Sequence, residues 1–118
     1  AESHPIHPLV IRADNIRELL YISEMLITFK STIMIESALM RKPMVSVNIT
    51  GQPNPLPFID WGFGIEVNKV DELVDAVERV QSDMDFRRGF EEAYQRYFAG
   101  SIDGKACRRI ADLAYSLI

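Results

Sequence analysis

The sequence predicts an α/β fold, a small parallel sheet with flanking helices and with C-terminal helices packed on it. Three observations point there. Two short apolar runs, 25–28 (Met25, Leu26, Ile27, Thr28) and 44–47 (Met44, Val45, Ser46, Val47), have the composition of buried strands. The 15 residues between them, 29–43, suit the crossover that joins parallel strands and far exceed a hairpin turn. From residue 70 onward, apolar residues recur at helical spacing.

Each element has its own signal. Residues 9–12 (Leu9, Val10, Ile11, Arg12) would add a fourth strand at the start. Asn15 is expected to cap a helix running to about Ser23, with Glu18 completing a capping box and Ile16, Leu19 and Leu20 forming its apolar stripe. After the first apolar run, residues 32–40 read as a helix ended by Lys42 and Pro43, since proline cannot continue the ladder. Residues 50–57 contain three prolines and a glycine, a stiff surface loop. Residues 64–67 are expected as a third strand. Helices follow over 70–81 (Val70, Leu73, Val74, Val77, Val80) and 86–98 (Phe86, Phe90, Ala93, Tyr94, Tyr97). A last helix opens at Asp103 or Gly104, with Ala106, Ile110, Leu113, Ala114 and Leu117 as its stripe.

At 118 residues the chain makes one domain, 1–118. Its net charge of −4 gives no general attraction to nucleic acid. No stretch approaches the roughly 20 apolar residues of a membrane span. The single cysteine, Cys107, allows no internal disulfide and suits a reducing compartment. It is expected as a small packing residue. The expected location is the cytoplasm, or the periphery of the inner membrane face.

Open parallel sheets bind ligands beyond the carboxyl ends of their strands. There the turn Phe29, Lys30, Ser31, Thr32 leads straight into a helix. Free amides at a helix start, two hydroxyls and an ammonium together suit a phosphate or diphosphate. Simple capping by Ser31 or Thr32 is the other reading, and the two can coexist. Glu36 lies one turn further on the same face, among apolar neighbours. Two readings stand for it: a carboxylate for a ribose diol, or a partner for Arg41 or Lys42 at a solvated edge.

Residues 26–47 resemble the C-terminal nucleotide-binding half of two-domain GT-B enzymes, a Rossmann-like unit. The features are a strand ending in Thr28, the Ser31/Thr32 turn, Glu36 just before the small Ser37, and Lys42–Pro43 before the next strand. The similarity is to UDP-N-acetylglucosamine 2-epimerases and to CDP-glycerol glycerophosphotransferases or capsule-polysaccharide transferases. A second match is Asp103, Gly104, Lys105, Ala106 followed by Arg109 and Ile110, and a third is the His4–Pro5 or His7–Pro8 pair. The resemblance implies that the Ser31/Thr32 turn holds a nucleotide diphosphate and that Glu36 holds the ribose. Lys30, Gly104 and Lys105 join them as nucleotide-binding candidates. Ser31, Thr32 and Ile33 replace the glycine pair that many epimerases place in the phosphate turn, Met44 stands where retaining transferases often carry a second glutamate, and the 50–55 loop is uncharged. The uncharged loop favours a transferase-like or diverged role over an epimerase, and Met44 argues against the retaining transferases.

The remaining candidates have plainer readings. His4 and His7 read as a flexible chain start rather than a metal site, and no metal or cofactor is expected. Trp61, Gly62, Phe63 and Gly64 could line a base pocket or plug the core, with the plug favoured. Lys105, Arg108 and Arg109 read as a solvated basic face. The chain is thus expected to be the nucleotide-sugar-binding part of a GT-B-like glycosyltransferase or glycerophosphotransferase of surface-glycan synthesis. Its ligand would be a nucleoside diphosphate sugar or a CDP-alditol. As a C-terminal fragment of a two-domain protein, lacking an N-terminal acceptor-binding domain, it alone would turn over nothing. An epimerase half and a non-catalytic α/β interaction module are the alternatives.

Overall fold

A computed structural model describes residues 8–12, 15–100 and 102–118. Its centre is a three-stranded parallel sheet of β1 (Leu26–Phe29), β2 (Met44–Val47) and β3 (Gly64–Val67), in spatial order β1-β2-β3. Helix α2 (Ile33–Leu39) makes the β1–β2 crossover. Register runs Leu26–Met44–Gly64 through Phe29–Val47–Val67, so the strands end level with one another.

The central strand explains the two cores. Successive side chains of a strand point to opposite faces. Met44 accordingly packs with Met34, Ala38, Phe58, Phe63 and Phe90, whereas Val45 packs with Val67, Ala76 and Val80. The first cluster lies under α2 and α4 (Met84–Tyr97); the second lies under α3 (Leu73–Ser82). Gly64 is dictated by contact: a Cβ there would sit 2.2 Å from the Met44 carbonyl oxygen and 2.4 Å from Met44 Cγ.

Several expectations hold only in part. The 70–81 helix begins as a 3-10 turn, Val70–Glu72, and both Val70 and Val74 are exposed; of the expected stripe Val80 is buried and Leu73 and Val77 pack half-buried beside it, with Ala76 buried as well. Asn15 precedes α1 (Ile16–Ile22) but its side chain makes no cap bond. Residues 9–12 have no regular structure and pair with no strand among the described residues, and Leu9 and Val10 are exposed. A strand needs a ladder partner, and the hydrophobicity of this run does not supply one.

The packing expected of the C-terminal helices is met by α3 and α4, whereas α5 (Ala106–Ser116) is exposed along its whole length. Gly100 and Gly104, both at positive φ, shape the connection that leads it away. Its stripe residues Ile110, Leu113 and Leu117 therefore face solvent, as does Cys107, expected as a packing residue. No helix among the described residues is long and apolar enough to cross a membrane.

Candidate functional site

The carboxyl ends of the strands gather most of the sequence-selected residues. Beyond Phe29 the chain turns through Lys30, Ser31 and Thr32 into α2, and Ser31 and Thr32 are both exposed. The Ile33 amide donates to Ser31 Oγ at 3.4 Å, a long capping bond. Thr32 makes no side-chain cap bond, which leaves its hydroxyl available. The Met34 and Ile35 amides already donate to the Ser31 and Thr32 carbonyls at 3.2 and 3.0 Å, a tight first turn that reduces the number of free amides. Because α2 has only seven residues, its dipole is modest as well. The polar character of the turn thus rests on the two hydroxyls and Lys30.

Glu36 is half-buried, with its carboxylate 3.6 Å from Arg17 Nε on α1. The basic neighbours expected from sequence are engaged elsewhere: Arg41 lies 4.0 Å over the Tyr94 ring and Lys42 5.8 Å from that of Tyr21. Gly104 and Lys105 sit at the entrance to α5, where the Lys105 amide donates to Asp103 Oδ1 at 2.9 Å. Arg109 Nη1 donates to the same carboxylate at 2.7 and 2.8 Å, and these bonds hold Asp103 below the usual aspartate range. His4 and His7 lie outside the described residues.

A network that the sequence did not announce joins the three strand ends. Thr28, Ser46 and Glu66 are in register on one face of the sheet. Glu66 Oε1 accepts from Asn48 Nδ2 at 2.7 Å and from Asn54 Nδ2 at 2.9 Å. Asn48 Nδ2 also donates to the Gln52 carbonyl at 2.7 Å, and Lys30 Nζ donates to that same carbonyl at 2.8 Å. Ser46 Oγ and Asn54 Oδ1 are buried without a hydrogen-bond partner among the described residues. A glutamate inside an otherwise apolar strand, and an asparagine just past the end of another, were the available signals.

Two concave surfaces lie elsewhere. A cleft of about 600 Å³, lined by Met25, Pro43, Val80, Phe86 and Phe90, opens at the amino ends of β1 and β2. A smaller hollow adjoins Trp61, whose ring stacks on Tyr97 at 4.1 Å and meets Phe58 edge-on. Phe63 is wholly buried. The 61–64 segment is therefore a plug, as favoured from sequence.

The model of a family described as CDP-Glycerol:Poly(glycerophosphate) glycerophosphotransferase matches residues 6–116. The chain belongs to that family. Searches of curated proteins and of solved structures each return no match. In this member of the glycerophosphotransferase family the matched region includes both the β1–α2 turn and the exposed α5. The family unit therefore extends beyond the packed sheet.

Proposed function

We propose that the chain is the donor-binding part of a transferase that takes a CDP-linked alditol, CDP-glycerol by the family's description, and that its sheet is the C-terminal half of a GT-B-like enzyme of surface-polymer synthesis. The family match over 6–116 carries this reading. The exposed, hydroxyl-bearing turn at the end of β1 is where an open parallel sheet takes its ligand.

In the proposed reaction an acceptor hydroxyl attacks the phosphorus that bears the glycerol. The bond between that phosphorus and the oxygen bridging the two phosphates breaks, and CMP departs with the bridging oxygen and its electron pair. The hydroxyl proton passes to a base. Lys30, Ser31 and Thr32 hold the diphosphate and steady the charge that grows on the departing nucleotide. Glu36 takes the ribose diol, exchanging its contact with Arg17 for two charge-assisted hydrogen bonds.

Calorimetric titration with CDP-glycerol, CDP, UDP and GDP tests the proposal. CDP-glycerol and CDP are expected to bind, with affinity falling roughly tenfold in Ser31→Ala. Absence of binding by all four at millimolar concentration, with the circular dichroism of a folded chain, would leave the non-catalytic interaction module as the better reading.

A further inference from the structure

We infer that Glu66 is a positioning residue for the donor site, acting through Asn48 and the 49–57 loop to set the place of the Lys30 ammonium. The inference rests on the proposed donor-binding function and extends it to residues that touch no donor.

The relay runs across all three strands. The carboxylate on β3 binds Asn48 at 2.7 Å; Asn48 binds the Gln52 carbonyl at 2.7 Å; that carbonyl binds Lys30 Nζ at 2.8 Å at the end of β1. The valences close. Asn48 Nδ2 has two protons and two acceptors, and the Gln52 oxygen has two lone pairs and two donors. Lys30 gives the loop one of its three protons and keeps two for an anion. Asn48 is itself buried, and its backbone amide donates to the Val67 carbonyl at 2.7 Å, so the middle of the relay cannot drift.

The loop is stiff enough to transmit this. Pro53, Pro55 and Pro57 lock their φ angles, and Gly51 supplies the positive-φ turn. Asn54 gives Glu66 a second hold on the loop at 2.9 Å. A lysine side chain otherwise samples many rotamers, and fixing its head group beforehand removes that cost from ligand binding. Glu66 is a suitable anchor because hydrogen bonds to an ionised acceptor are about twice as strong as neutral ones.

A double-mutant cycle read by CDP calorimetry on the 118-residue chain provides the test. Lys30→Met and Glu66→Leu should each weaken CDP binding roughly tenfold. The double variant should be no weaker than Lys30→Met alone. Glu66→Gln keeps a carbonyl acceptor at the same place and should stay within about threefold of wild type. Should Glu66→Leu melt early, Asn54→Ala on the loop replaces it in the cycle, with a loss of about threefold that also vanishes in the Lys30→Met background. Penalties that add fully, or a Glu66→Leu protein that binds like wild type, overturn the positioning role while the donor site stands. A wild-type chain that ignores CDP overturns both.

Discussion

Arg17 on α1 reaches 3.6 Å from the carboxylate of Glu36 on α2, so the one acidic group of the β1–α2 site is held by a helix that precedes the sheet. Arg17 is largely exposed, and such a pair contributes at most about 1 kcal/mol. Arg17→Ala should therefore leave the urea midpoint nearly unchanged. It should also leave the carboxylate free to meet a ribose. Glu36→Ala should abolish preference for CDP over its 2′-deoxy form, a change of about tenfold read by competition binding. Unaltered discrimination would separate Glu36 from the ribose.

Gly64 should tolerate no side chain. A Cβ would overlap the Met44 backbone oxygen, which the neighbouring ladder holds in place. Gly64→Ala is expected to cost about 3 kcal/mol or to prevent folding, measured by chemical denaturation. At Gly89, where nothing lies within 4 Å of an added Cβ, alanine should be neutral or mildly stabilising.

The start of α4 depends on Asp83, whose carboxylate accepts from the Asp85 and Phe86 amides at 2.9 and 3.3 Å. Asp83→Ala should cost about 1 kcal/mol, and Asp83→Asn less, because an amide oxygen still caps. Phe86 packs against both core clusters, so the loss should appear as a lower global midpoint rather than local fraying.

Asp103 provides a pH marker for α5. Its bonds from Arg109 and from the Lys105 amide lower the carboxyl pKa in the folded arrangement. A lowered value means the contribution is complete above the ordinary aspartate range and is lost as pH falls through the folded value. Protection of the Lys105 amide against exchange should thus persist at mildly acid pH and disappear only under strongly acid conditions. Asp103→Asn should remove that pH dependence without moving the main unfolding transition, since α5 is exposed throughout.

By itself the sequence determined the α/β class, the crossover between β1 and β2, the stiffness of the 50–57 loop and the solvent-facing Ser31/Thr32 turn. Each of these follows from neighbours along the chain: strand composition, proline chemistry, helical period. Only the tertiary structure decided that Glu36 meets Arg17, that residues 9–12 form no strand and that α5 stands away from the sheet. It alone revealed the relay, whose long-range bonds join residues 18 and 22 positions apart. The physical reason is that a polar side chain's partner is chosen by which strand ends the sheet brings level, and periodicity along one segment carries no record of that choice.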